Sequence, residues 1–316
     1  MMSAPLVSTV VITRDRPDSL RRCLGSLRAN GYRPLEIVVV DNGSAAGRRA
    51  VRAWLDGWGS EPPVRYVECP PDGFAALRQR SYDHAGGDIV VSIDDDCEAA
   101  TDMLERVVAR FQAEPDVGMI GGQLENVGFE GPERFKGRGR LGVNGRYETV
   151  EDPARAELFG SANQSVRRRA FDEAGGYDGY FRDGMEEADL ALSLRAAGWR
   201  VVFDPDVRVK HFHLPQRFRS RWRNLHRMRL YLFFKHRMPR GAGWLRFLKD
   251  EVRLCMRETA GLWPGRPRGG GGGVLRRALR PPAWLLIEAW KLVWARLTIP
   301  WIYFRASGAR HRRGMR

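Results

Sequence analysis

The stretch "VVSIDDDCE", residues 90–98, decides how the chain is read. Strand-like sequence runs directly into Asp94, Asp95 and Asp96. Three adjacent carboxylates at the end of a buried strand repel one another. They need a cationic partner, unless the run is only a solvated loop. Asp94 and Asp96 flank one residue and can both reach a divalent cation through oxygen. Mg²⁺ and Mn²⁺ favour such hard donors and commonly share their shell with substrate phosphates. The spacing alone does not decide between metal site and loop.

The flanking sequence supplies the context. "VSTVVIT" (7–13) is apolar and β-branched, which predicts a buried strand. Leu20, Leu24 and Leu27 then recur at helical spacing, with Gly31 as a stop. "PLEIVVVDNGS" predicts a second strand ending in Asp41, residues 45–58 a helix, and "VRYVECP" a third strand. "GFAALRQRSYDHAGGD" predicts a helix leading into "IVVSIDDD". Strands alternating with helices imply a parallel, doubly wound α/β sheet, where ligands sit at the carboxyl ends of strands. Further on, 117–122 predicts a strand and 123–157 a long irregular active-site or acceptor loop. "LFGSANQSVRRRAFDEAGGYD" predicts a strand and then a helix, "GMEEADLALSLRAAGW" a helix with an acidic first turn, and "RVVFDPDVRVKHFH" a closing strand pair.

The chain of 316 residues has a formal charge of +15, but the charge is unevenly placed. Residues 1–215 hold 28 basic and 34 acidic side chains, a net of −6; residues 216–316 hold 25 and 4, a net of +21. Such a segment suits a polyanion or an anionic lipid surface. Cys23, Cys69, Cys97 and Cys255 show no CxxC spacing, so neither a zinc site nor a disulfide framework is expected, and a reducing compartment fits. The N-terminal "MMSAPLVSTVVITRDRP" reads as a first strand and not as a signal peptide.

Six pieces in series resemble the inverting glycosyltransferases of the GT-A fold, family 2, over about residues 6–215. They are "VSTVVITRDRPDSLRRCLGSL", "IVVVDNGS", "GFAALRQR" with "AGGDIVVSIDDDCE", "GSANQSVRRRAFDEAGGYD", "EEADLALSLRAAGW" and "PDVRVKH". The resemblance implies a GT-A nucleotide-diphospho-sugar transferase domain over 1–215, with a doubly wound mixed sheet, followed by a basic, mostly helical region over 216–316. It implies that Thr13, Arg14 and Arg16 line the nucleotide pocket, that Asp41 accepts hydrogen bonds from base or ribose, and that Arg78, Asp94 and Asp95 bind the nucleotide sugar. Asp94 and Asp96, with His211, would hold Mn²⁺ or Mg²⁺. Gly160, Ser161, Ala162 and Asn163 would shape the acceptor side. In "EEADL", Glu186, Glu187 and Asp189 supply the carboxylate general base; the chain has Glu187 where the family usually has Asp, and either Glu187 or Asp189 could serve. Gln79 stands where the family often has Asn. Bland readings exist beside these: an Asp at a strand-end turn is common, and acidic residues in a first helical turn suit the helix dipole.

The implied activity is metal-assisted transfer of a hexosyl or related group from a nucleotide diphosphate to an acceptor hydroxyl, with inversion. The alternative is a catalytically weak GT-A-like scaffold that binds nucleotide sugar or lipid at a membrane surface. Acceptors would be glycans, lipid-linked molecules or small molecules, as in cell-envelope polysaccharide synthesis; no nucleic acid is expected. Within the tail, "PGRPRGGGGG" predicts a flexible break at 269–273. "PPAWLLIEAWKLVWARLTIPWIYFRASGARHRRGMR" approaches bilayer-spanning length, but Glu288, Lys291 and Arg296 interrupt it and Pro300 breaks it. An interfacial helix is therefore favoured over a span, and the expected location is cytoplasmic and peripheral, on the inner face of the cell membrane. An accessory helical domain that covers the sheet or forms a dimer ranks close behind, and nucleic-acid binding third.

Overall fold

The computed structural model describes residues 4–131, 134–212, 222–237, 243–260 and 297–312. His213, the 269–273 break and most of the 281–305 segment lie outside them. The chain divides into two compact units: Met1–Arg140 with Tyr147–Arg217, and Leu141–Arg146 with Phe218–Arg316.

In the first unit the predicted alternation is present. β1 (Val7–Thr13), α1 (Pro17–Arg28), β2 (Leu35–Asp41), α2 (Ala45–Leu55), β3 (Val64–Glu68), α3 (Phe74–His84) and β4 (Ile89–Asp94) follow one another. Next come β5 (Cys97–Ala99), α4 (Met103–Ala113), β6 (Val117–Asn126), β7 (Phe135–Lys136), β8 (Arg138–Leu141), β9 (Tyr147–Thr149) and β10 (Leu158–Phe159). The unit closes with β11 (Asn163–Arg167), α5 (Arg168–Glu173), α6 (Glu186–Ala196) and β12 (Arg200–His211). The main sheet runs β3-β2-β1-β4-β11-β6-β12-β5, with β7 on β6. Strands β3, β2, β1 and β4 are parallel; β11 is antiparallel to both of its neighbours, so the sheet is mixed. Apolar strands buried on both faces account for the near-continuous Val/Ile runs. Val11, Ile37, Val39, Val91 and Ile93 pack with Leu20, Leu24 and Leu27 of α1 and with Leu104, Val107 and Phe111 of α4. Each such side chain contributes roughly 1.5–3 kcal/mol on burial.

Topology then places the chemistry. β1 lies between β2 and β4, and the register pairs Thr13 with Asp41 and Ile12 with Asp94. The ends of three parallel strands therefore deliver Thr13, Asp41 and the Asp94–Asp96 run to one edge, at the point where the strand order reverses.

Two expectations differ from the structure. Residues 123–157 are not one irregular loop: β6 continues to Asn126, and β8 forms the centre of a second sheet ordered β10-β8-β9. These strands are two to four residues long and rich in Gly, Arg and Glu, so they carry little periodic signal. Gly137 (φ 111°) makes the bend between β7 and β8 that a β-carbon would strain. The closing strand pair is instead one strand, β12, whose register against β6 shifts between Asp204 and Arg208. Pro205 sits in that irregularity, where its missing N–H costs no ladder bond.

The second unit contains α7 (Trp222–His236), α8 (Gly243–Ala260) and α9 (Ile299–Arg312). Phe234, Trp244, Phe247 and Tyr303 form a ring cluster with centroids 5.1–5.8 Å apart. Beside it lies a buried ion pair between Arg229 and Glu251. Glu251 also accepts from Asn144 Nδ2 at 2.9 Å, and Arg229 donates to the Asn144 carbonyl. Among the described residues, no helix is long and apolar enough to cross a membrane.

Candidate active site

Each of the three adjacent aspartates meets a cation or donor of the protein itself. Asp94 Oδ1 accepts from Arg78 Nη2 at 3.2 Å, and its side chain is 36% exposed. Asp95 is buried; it accepts from Thr13 Oγ1 at 2.7 Å and Arg16 Nη1 at 3.1 Å. Asp96 faces Arg16 Nη1 at 3.4 Å and His211 Nε2 at 3.4 Å. The repulsion is thus divided among Arg16, Arg78 and His211, and a metal ion is not needed to explain it. Burial pushes the Asp95 carboxyl up to about 6, against the opposing effects of Thr13 and Arg16. Burial also works against an ionised Asp96, but His211 and Arg16 outweigh it and hold the carboxyl below its ordinary range. His211 moves the other way: burial disfavours its charge, and Asp96 more than restores it.

The donor set fits a divalent ion. His211 Nδ1 lies 3.1 Å from Asn126 Oδ1, and the parallel register sets these two residues side by side at the ends of β12 and β6. An Nδ1–H bonded to that oxygen is the usual support of a metal-ligating histidine; Nε2 carries the proton of the ion pair with Asp96 here, and its lone pair serves an ion once that proton is lost. Ligand atoms of Asp96, His211 and Cys97 lie within 4.8 Å of one another. Burial raises the Cys97 thiol well above its ordinary value, so it stays protonated and is a poor donor beside hard oxygens. Asp94 is turned toward Arg78, to which its Oδ1 is bonded.

The acidic helix start is built differently. Gly184 (φ 130°) and Met185 (φ 70°) are both in the left-handed region, and this forced turn sets the first turn of α6. A methionine there stores on the order of 1–3 kcal/mol of strain, and such strain gathers at functional sites. Glu186 is buried, and its Oε1 accepts from Arg78 Nε at 2.9 Å. Among the described residues, its Oε2 is buried with no cation or N–H donor bonded to it. Asp189 is 0% exposed. Glu187 alone of the three keeps accessible surface, and burial together with the Glu186 charge pushes its carboxyl up to about 8. Arg78 bridges both carboxylate groups; burial opposes its charge, but Asp94 and Glu186 hold it firmly protonated.

The other expected site residues divide. Thr13 and Arg16 meet Asp95 at the edge, while Arg14 is exposed and Asp15 (φ 55°) accepts from Ser44 instead. Asp41 is 1% exposed; its Oδ1 takes the Gly43 N–H at 2.7 Å and its Oδ2 the Tyr66 hydroxyl at 2.6 Å, so it closes the "DNGS" turn. Gln79 accepts from the Tyr177 N–H and donates to Asp83, holding the turn after α5. Gly160 and Ser161 are half-buried, whereas Ala162 and Asn163 point inward. Asn163 Nδ2 donates to the carbonyls of Gln123 and Val207, joining β6 to β12, so these two residues act in the sheet. Residue-by-residue reading missed Asn126, Tyr66, Met185 and Tyr147. Tyr147 stacks where a β-carbon on Gly139 would come within 2.2 Å of its ring, and it feels the Glu187 charge.

Comparisons with known proteins show the family and the fold. The sequence profile of glycosyl transferase family 2 matches residues 8–175. Protein y4gI of Sinorhizobium fredii is 30% identical over 67% of this chain and 25% of its own length. The O-antigen biosynthesis protein RfbC of Myxococcus xanthus is 29% identical over 66% of this chain and 17% of its own. This chain therefore spans a minor part of those relatives. The glucosyl-dolichyl phosphate glucuronosyltransferase of Haloferax volcanii is 29% identical over 65% of this chain and 68% of its own. Among solved structures, the mannosyltransferase PcManGT of Pyrobaculum calidifontis, in complex with GDP-Man and Mn²⁺, superposes with a TM-score of 0.58 at 20% identity, covering 95% of this chain and 88% of that one. GalNAc-T7, with UDP, GalNAc and Mn²⁺, gives 0.61 at 16% identity over 79% and 55%. At such identities the likeness is one of fold, the GT-A fold. With the profile covering more than half its length, the chain belongs to glycosyl transferase family 2.

Proposed function

We propose that this protein transfers a glycosyl group from a nucleotide-diphosphate donor to an acceptor hydroxyl, with inversion at the anomeric carbon. The observation that carries the proposal is the pairing of two carboxylate sets through Arg78 at the carboxyl edge of β1 and β4. On one side Asp96 and His211, with Asp94, would hold a divalent ion, Mn²⁺ or Mg²⁺; Thr13, Arg16 and Asp95 form the wall beside them. When bound, such an ion neutralises charge that develops on the departing diphosphate. Relatives of the same fold were solved with Mn²⁺ and a nucleotide or nucleotide sugar, which supports this assignment.

On the other side Glu187 is the accessible carboxylate and serves as general base. The acceptor oxygen forms its bond to the anomeric carbon as the bond from that carbon to the phosphate oxygen breaks. The diphosphate leaves with the bonding electrons, and the hydroxyl proton passes to Glu187. Buried Asp189 and Arg78-bound Glu186 hold the helix start in place. Lipid-linked or envelope glycans suit the acceptor role, since relatives are named for dolichyl phosphate and O-antigen chemistry. The +21 segment suits a peripheral place on an anionic membrane.

The test is nucleoside diphosphate release from a panel of nucleotide sugars with Mn²⁺ and acceptor extracts. Sustained release that EDTA abolishes is expected. Tight binding of a nucleotide sugar without release overturns the proposal in favour of a binding scaffold.

A further inference from the structure

Arg78 has one fixed end and one open end. It is a buried side chain on α3, clamped between groups 92 residues apart in the chain. Toward α6, Nε meets Glu186, whose side chain is 3% exposed and cannot turn away. Toward β4, Nη2 meets Asp94, whose side chain is 36% exposed and free to reach toward the donor side. The planar guanidinium fork serves both at once through two separate nitrogens, 2.9 Å and 3.2 Å away. Meanwhile the acceptor-side pair is short of positive charge. Among the described residues, the Glu186 Oε2 atom is buried with no cation or N–H donor bonded to it, and Glu187 is its neighbour.

We infer that Arg78 is a positioning residue that couples the two sides of the site: its charge is divided between Asp94 and Glu186 while the donor side is empty, and passes wholly to Glu186 once Asp94 turns to the donor. The inference rests on the proposed transfer reaction. With the charge divided, Glu187 sits beside a poorly neutralised Glu186 and retains its proton. With the charge delivered, Glu186 is neutralised, Glu187 ionises more readily, and the base is ready only when a donor is in place. The groups that face Glu187 are Glu186 on its own helix, Arg78 from α3 and Tyr147 from β9, with Arg138 of β8 acting on Tyr147. Of these, Arg78 is the one directly tied to the donor side.

The experiment reads protonation and not turnover. Glutamate is labelled at its carboxyl carbon, the Glu187 signal is assigned by its loss in Glu187→Gln, and its midpoint is followed by NMR in the full chain. Asp94→Asn imitates the departure of Asp94 and needs no ligand. It should lower the midpoint by about one pH unit, tenfold in proton affinity. Removing the Asp94 charge could also act directly through space, so the same substitution is made in Arg78→Lys. A lysine keeps the charge but lacks the fixed fork that aims Nε and Nη2 at the two carboxylates separately; there the Asp94→Asn shift should be clearly smaller. Thermal melts monitor folding of each variant, and Arg78→Gln repeats the cycle if Arg78→Lys melts early. An unchanged midpoint in Asp94→Asn overturns the inference, as does an equal shift in both backgrounds. If the coupling appears and no donor in the panel turns over, the transfer proposal falls and the bridge stands. If turnover appears without the coupling, only the bridge falls.

Discussion

The two acidic trios of this protein are built on opposite terms. Asp94, Asp95 and Asp96 are consecutive at a strand end, and three cationic side chains, Arg16, Arg78 and His211, are spread among them. Glu186, Glu187 and Asp189 open a helix, where Glu186 pairs with Arg78, the cation it shares with the first trio. The first trio is neutralised by partners that a ligand can exchange with, so it is suited to bind. The second is short of positive charge, so one member holds a proton near neutrality, as a group that must take up and release a proton requires. Density of carboxylates is similar in both; the supply of cations separates their roles.

The largest expected effect falls on the cation-poor trio. Glu187→Gln should leave nucleotide-sugar binding intact and lower turnover by about 10²–10⁴-fold, the usual worth of a positioned general base. Diphosphate release at saturating donor measures it. Asp189→Asn should lower turnover by less than about tenfold, because a buried group cannot reach the acceptor proton. A reversal of these two results would exchange the roles within α6.

A fully paired carboxylate offers the next contrast. Glu251 accepts from Arg229 and Asn144, both within the second unit. Glu251→Ala leaves a buried guanidinium without its partner and should cost about 3–5 kcal/mol of stability, seen in urea unfolding of that unit. The Mn²⁺ affinity of the intact chain should not change.

The cation-rich trio gives a smaller number. His211→Ala removes one of the proposed ligands, and Asn126→Ala removes only the group bonded to its Nδ1. The second change should weaken Mn²⁺ binding by about 10–100-fold, measured by titration calorimetry, with the first change at least as large. Equal Mn²⁺ affinity in all three proteins would place the ion elsewhere.

How much of this was legible follows from the range of each signal. The parallel part of the sheet could be read because β1, β2 and β4 are short apolar runs, each ended by polar residues at the carboxyl edge. Asp94, Asp96 and the "EEADL" start could be read as motifs for the same reason: their meaning lies within five residues. Arg78 and Glu186 are 108 positions apart, and Asn126 and His211 are 85 apart, so no local pattern pairs them. The family resemblance alone assigns Asn163 to the acceptor side; that its side chain closes carbonyls between strands is a contact across 40 and 44 positions that no local pattern shows. The β8–β10 sheet escaped because its strands are too short for an alternation to repeat.

The last and smallest effect is one of pH. Glu187 ionises near its ordinary value in the unfolded chain and only around pH 8 in the folded one. Between those values the native state binds more proton than the unfolded state, so this group makes stability fall as pH rises through that window. Glu187→Gln removes the slope, and its melting temperature should therefore gain on the wild type by a few degrees between pH 5 and pH 8, roughly what a 1 kcal/mol change produces in a domain of this size. The Asp96–His211 pair tilts the curve at its two ends. Asp96, held low, contributes stability that is lost as pH falls through its folded value, and His211, held high, contributes stability that is lost as pH rises through its own. Asp96→Asn with His211→Gln should flatten those two limbs and leave the Glu187 slope in place. Thermal melts across pH separate the two trios in this way: one is sensed as a proton retained, the other as an ion pair that must be intact.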